Sequence, residues 1–278
     1  MAQKQQGIYV TLSDMDGTLL DSEPLYEAVH KDLATQYNIT LSAHELAAQR
    51  GSGAGFYSLF SSKSVQFTKD YPCEIAFAKS RLASYYNIMA AKPDLIEEIP
   101  HVMNKFEALV DNGEAALIVT NSSFKTVEKS MAAVNRHDVY WKHAVTADQV
   151  IKQGGLVKPS GDPYDHGLER INTLHNAQYA PESCVVLEDS KVGVRSGLDF
   201  GGHIIHVITD AMQLLSEDDV RQMRKASSYC QQHFNGAAEP KNVMCYVACK
   251  PEDFDAVYDN FVQDSRSGIA MPHYQNLA

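Results

Sequence analysis

Asp14 and Asp16 stand two residues apart in Asp14-Met15-Asp16-Gly17-Thr18-Leu19, directly after the apolar run Ile8-Tyr9-Val10-Thr11-Leu12. The run predicts a buried strand, which Gly17 ends. Residues i and i+2 near a strand end point to one side, so both carboxylates face one small volume. Like charges that close repel, and the pair calls for a cation, a shared proton or divergent roles. Alone, Asp-x-Asp-Gly is also ordinary turn chemistry. Three later segments change the balance. Thr120 closes a second apolar run and is followed by Asn121 and Ser122; Lys158 sits beside the stiff Pro159; Glu188 and Asp189 close a third apolar run, Val185 to Leu187. Singly these read as a β-branched strand residue, a solvated lysine and acids complementing a helix dipole. In this order, a nucleophilic carboxylate, a hydroxyl, an ammonium and an acidic pair compose a phosphoryl-transfer site. There, fixed positive groups offset the repulsion between a phosphate anion and its nucleophile.

The string Asp14-Met15-Asp16-Gly17-Thr18-Leu19-Leu20-Asp21-Ser22-Glu23 resembles the opening of the haloacid dehalogenase superfamily of phosphohydrolases. It is most similar to the subgroup of sugar-phosphate phosphatases and β-phosphoglucomutase, and the likeness covers most of residues 8 to 208. The resemblance implies Asp14 as nucleophile, forming an aspartyl-phosphate, and Asp16 as general acid and base. It implies Mg²⁺ as cofactor, suited to an oxygen-only site, held by Asp14, the Asp16 carbonyl and Asp189. Glu188 is then either a further ligand or an acid behind the ligands. Thr120, the Asn121 amide and Ser122 are expected to bind phosphate oxygens, and Lys158 to neutralise both phosphate and Asp14. Asn121 replaces a more usual serine. Gly154-Gly155 before the lysine, and Ser160-Gly161 after Lys-Pro, imply looser placement of Lys158.

The elements that must position these residues alternate strand and helix, which predicts a parallel sheet. The expected fold is α/β: a Rossmann-like three-layer core plus an inserted all-helical cap. Residues 7–20 and 93–278 are assigned to the core, with 211–278 as an extended C-terminal part, and 21–92 to the cap. In the cap, a helix starts near Ser22 with Leu25, Val29 and Leu33 on one stripe. Ser42 to Glu45 read as a capping box. A helix over about 74 to 90 carries an apolar face of Ile75, Ala78, Leu82, Tyr85 and Tyr86. Core strands are expected at Ala115 to Thr120, Ala144 to Thr146, Cys184 to Leu187 and His203 to Ile208. Helices are expected from Leu95 to Leu109, Lys125 to Val134 and Asp165 to Leu174. In the tail, residues 211 to 228 suggest an amphipathic helix, Val243 to Ala248 a last strand, and Glu252 to Val262 a helix.

Composition bounds the function. The chain has 278 residues, 44% of them hydrophobic, enough for a sizeable core. A net charge of −11 argues against nucleic-acid binding. No apolar stretch reaches the roughly 20 residues of a membrane span, and Met1 to Gln6 are polar, so a cytoplasmic protein without membrane contact is expected. The five cysteines are odd in number and lack a metal-binding pattern, which suggests reduced thiols.

Substrate choice is assigned to the cap, because the core sees only the shared phosphate. Arg50-Gly51-Ser52-Gly53-Ala54-Gly55 reads either as a flexible loop closing over the site, with Arg50 on an anionic substrate, or as a plain connection. Glu23 is either a helix-start acid or a contact near the site mouth. The function expected is Mg²⁺-dependent hydrolysis of a small phosphorylated metabolite, a sugar or polyol phosphate. The alternatives are a β-phosphoglucomutase-like phosphomutase and a non-catalytic binding protein. The loop has no cation between Gly51 and Lys63, which weakens the mutase reading. Protein partners are left open.

Overall fold

The computed structural model describes residues 9–48, 53–207, 245–248 and 251–267. The chain forms two compact units, one from Met1–Leu20 with Glu98–Ala278 and the other from Asp21–Glu97. It leaves the first through β2 (Leu20–Asp21) and returns through β3 (Glu97–Glu98).

The first unit is built on β1 (Val10–Ser13), β4 (Ala116–Thr120), β5 (Val145–Thr146), β6 (Cys184–Glu188), β7 (His203–Val207) and β8 (Cys245–Ala248). They form one sheet of order β5-β4-β1-β6-β7-β8, with every pair parallel. Parallel strands covered on both faces read as near-continuous apolar runs, and β1, β4 and β6 do so. Leu12 lies level with Leu117 on one side and Val186 on the other. Chain order runs outward in both directions from β1. A crevice at the carboxyl ends beside β1 is therefore where such a sheet binds ligands.

The connecting helices are α6 (Pro100–Asp111), α7 (Phe124–Ala133), α8 (Ala147–Lys152), α9 (Asp162–His175) and α10 (Lys191–Phe200). Leu95 and Ile99 precede α6 rather than joining it. Pro100 pushes the residue before it toward extended backbone, and Ile99 takes φ −90°, ψ 96° as the N-cap. The tail belongs to this unit. β8 pairs with β7, and α11 (Phe254–Ser267) buries Phe254, Val257, Tyr258 and Phe261. The Tyr258 and Thr11 hydroxyls lie 2.9 Å apart, and Phe261 meets Tyr9 edge-on at 5.5 Å between centroids. The helix expected over 211 to 228 lies outside the described residues.

The second unit holds α1 (Glu23–Gln36), α2 (Ala43–Ala48), α3 (Gly53–Lys63), α4 (Val65–Asp70) and α5 (Glu74–Ala91). Leu25, Val29 and Leu33 are buried as their spacing predicts. The capping box also forms: the Glu45 N–H donates to Ser42 Oγ at 3.2 Å and the Ser42 N–H to Glu45 Oε2 at 2.9 Å. Two expectations are corrected. On α5 the buried stripe is Phe77, Tyr85 and Met89, while Ile75 and Leu82 are 70% and 38% exposed and Ala78 is exposed. Both stripes have helical spacing. The aromatic one wins because Phe77 joins Phe60 and Phe67 at centroid distances of 5.9 and 5.1 Å, burying more area. Gly53 and Gly55 are helical rather than loop. Burial of Phe56 and Phe60 on α3 outweighs the roughly 1 kcal/mol that each helical glycine costs. Arg50, with Gly51 and Ser52, lies outside the described residues. Among the described residues no helix is long and apolar enough to cross a membrane.

Candidate active site

Asp14 follows the last residue of β1, and its backbone N–H donates to the Leu187 carbonyl at 2.9 Å, continuing the pairing with β6. The chain then turns tightly: the Gly17 N–H reaches the Leu20 carbonyl at 2.7 Å. Gly17 has φ +84°, and a β-carbon there would sit 2.2 Å from Asp189 Oδ2. Only glycine meets both demands, the left-handed backbone and the close approach. The turn brings the Thr18 hydroxyl to Asp189 Oδ1 at 3.2 Å.

Asp16 is half-buried and accepts from Ser122 Oγ at 2.7 Å. Ser122 follows β4 and donates its backbone N–H to Thr120 Oγ1 at 3.0 Å, so the two hydroxyl residues are locked together. The Asn121 side chain turns to Lys158 instead. Its Oδ1 accepts from the Lys158 N–H at 3.0 Å and its Nδ2 donates to the Lys158 carbonyl at 3.2 Å. Any phosphate contact by Asn121 thus falls to its backbone amide. Lys158 is not loosely placed, contrary to expectation. It is buried, and Nζ donates to Asp14 Oδ1 at 2.6 Å, to Glu188 Oε1 at 2.6 Å and to the Val119 carbonyl at 2.7 Å. All three donors of the ammonium have partners, and this fixes it whatever the loop before it allows.

Glu188 ends β6 fully buried, and Ser190 caps α10 by accepting from the Gly193 N–H at 3.0 Å. Asp189, half-buried, lies between them, and its carbonyl lies 2.8 Å from His206 Nε2. Glu23 opens α1 in the helical unit, its N–H donating to Asp21 Oδ1 at 3.3 Å.

Two carboxylates, Asp14 and Glu188, thus share one ammonium, and Asp16 and Asp189 stand close to them. Burial, opposed by Lys158 and reinforced by Glu188 and Asp16, pushes the Asp14 carboxyl up to about 8. Burial would lower the Lys158 ammonium, but Asp14 and Glu188 outweigh it and hold it above its ordinary range. Lysine keeps its charge, and the excess of negative charge is felt at Asp14. Asp14, Glu188 and Asp189 each offer an oxygen, all within 4.8 Å of one another. An all-oxygen set with surplus negative charge fits a hard divalent cation.

The sequence pattern of the haloacid dehalogenase-like hydrolases matches residues 11–207. The chain is a haloacid dehalogenase-like hydrolase. This hydrolase is 30% identical over 198 residues to hexitol phosphatase A of Escherichia coli, covering 70% of this chain and 81% of that protein. It is 26% identical over 211 residues to a phosphorylated carbohydrates phosphatase of Thermotoga maritima, covering 73% and 88%. Among solved structures, CbbY of Rhodobacter sphaeroides shares the fold at a TM-score of 0.58 and 20% identity, covering 72% of this chain and 86% of that one.

Two residues of the hydrolase's site carry no local signal. Tyr164 on α9 donates its hydroxyl to Glu188 Oε1 at 2.8 Å, with Lys158 Nζ 4.9 Å from its ring centre. His206 on β7 reads in sequence as one more strand residue. The structure required at Gly193, where a β-carbon would lie 1.8 Å from the Glu188 carboxylate, is equally hidden in a helix pattern.

Proposed function

We propose that this hydrolase is a Mg²⁺-dependent phosphatase of a small phosphorylated metabolite, a sugar or polyol phosphate. The observation that carries the reading is Lys158 Nζ at 2.6 Å from Asp14 Oδ1, beside a second acid, Asp16, held by Ser122. The names of the phosphatase relatives from Escherichia coli and Thermotoga maritima agree with it.

Asp14 attacks phosphorus through Oδ2, the oxygen that Lys158 does not engage, giving an aspartyl-phosphate. Asp16 gives its proton to the leaving alkoxide, and the Ser122 hydroxyl fixes the carboxyl for that transfer. In the second half Asp16 takes a proton from water, which cleaves the acyl-phosphate and restores Asp14. Lys158 screens the phosphate from Asp14 throughout, while Thr120, Ser122 and the backbone amide of Asn121 bind its oxygens. Asp14, the Asp16 carbonyl and Asp189 would hold a divalent cation, which would supply further charge neutralisation for the transferring group. The helical unit, Asp21–Glu97, is assigned to substrate selection as a cap. The mutase reading rests on likeness alone, and past Gly51 the loop offers no cation until Lys63 to grip a second phosphate.

Hydrolysis of a generic aryl phosphate with and without Mg²⁺ tests the activity, and a screen of phosphorylated metabolites then finds the substrate. Metal-independent turnover, or none on any ester, would sink the reading.

A further inference from the structure

Glu188 is more fully engaged than a metal ligand should be. Its Oε1 accepts from Lys158 Nζ at 2.6 Å and from the Tyr164 hydroxyl at 2.8 Å. Its Oε2 accepts from Ser190 Oγ at 3.1 Å and, more weakly, from the Ser190 N–H at 3.4 Å. A carboxylate offers about four lone-pair sites, and four donors fill them. The close approach of Gly193 on the other side leaves the group no room to swing. Asp189, the next residue along the backbone, joins the same cluster from a half-buried position.

Tyr164 makes this arrangement possible. It stands in the first turn of α9, fully buried, tilted against Phe200 with 6.0 Å between ring centres. Burial and the neighbouring charge of Glu188 push its hydroxyl well above the ordinary phenol range, so it stays protonated and donates. A phenylalanine would fill the same volume, so packing alone does not call for the hydroxyl.

We propose that Tyr164 is a positioning residue: its hydroxyl holds Glu188 as the partner of Lys158 and keeps that carboxylate out of the metal's coordination shell. The ion is then left to Asp14, Asp189 and the Asp16 carbonyl. The kinetic half of this proposal rests on the phosphatase reading; the metal-binding half does not.

The test uses the full chain and Tyr164→Phe, checked for an unchanged melting transition. Calorimetric titration with Mg²⁺, without substrate, is expected to show about tenfold tighter binding in the variant, because Glu188 gains a lone pair to offer. Adding Glu188→Gln should cancel that gain. With the aryl phosphate, kcat should fall about tenfold with KM nearly unchanged, because Lys158 loses its fixed counter-ion geometry while ground-state binding persists. A second route avoids Tyr164: Glu188→Gln should change the Mg²⁺ Kd less than about threefold, and Asp189→Asn should weaken it about tenfold or more. Equal weakening by these two changes, or unaltered metal affinity and kcat in a folded Tyr164→Phe, would overturn the proposal. If the unaltered chain hydrolyses no ester, the phosphatase reading fails and the calorimetry still decides the place of Glu188.

Discussion

At the scale of residues, the site is an imbalance of charge held in place by short hydrogen bonds. Lys158 has donors for three partners and uses all of them, two on carboxylates. Asp14→Asn removes the proposed nucleophile and also a carboxylate that Glu188 and Asp16 repel. Turnover should drop by about a thousandfold or more, while the melting temperature at neutral pH stays level or rises. Steady-state assay and thermal denaturation check both, and near-normal turnover would remove Asp14 from its role. The acids and the lysine were legible because phosphoryl transfer needs those types at strand ends, and strand ends are visible as the close of apolar runs. Tyr164 and His206 were not. Each acts on a residue far away in the chain, and nothing in a helical or strand pattern says which buried ring carries a used polar atom.

At the scale of elements, strands were legible because burial on both faces leaves little but apolar residues, as in Cys184–Glu188. Helix faces were less so: α5 offers two overlapping apolar stripes that share Tyr85, and only the partners of Phe77 decide between them. Helix α1 carries the clearest consequence for solution behaviour. His30 is buried on it, stacked on Phe56 with 3.4 Å between ring centres, and among the described residues its Nε2 has no hydrogen-bond partner. Burial, with the nearby charge of Arg81, lowers its pKa from 6.5 to about 3. The folded state therefore keeps this ring neutral, whereas the unfolded chain protonates it below about pH 6.5. Stability attributable to His30 is full above that pH and is lost as pH falls toward 3, by about 2 kcal/mol at pH 5. His30→Phe should flatten this part of the pH dependence. Chemical denaturation of both proteins at pH 7 and pH 5 measures it; the same loss in each would mean that other groups set the acid sensitivity.

At the scale of the whole molecule, the family pattern ends at Val207, yet the first unit does not. β8 extends the sheet, and α11 lays Phe254, Tyr258 and Phe261 against it and its neighbours. Phe261→Ala should cost about 3–5 kcal/mol, as for a buried ring in any core, although the residue lies more than fifty positions beyond the family's boundary. Denaturant unfolding measures this, and a loss under about 1 kcal/mol would show the tail to be an appendage. The pairing of Thr11 with Tyr258 spans 247 residues. At usual rates of synthesis, roughly 5–20 residues per second, β1 waits about 12–50 s on the ribosome before that partner exists. The strand that leads to Asp14 is thus made long before the helix that encloses it. A nascent chain held back just short of α11 would have Asp14 in hand and one flank of its central strand still bare, a window in which a chaperone or a protease meets the protein before any substrate does.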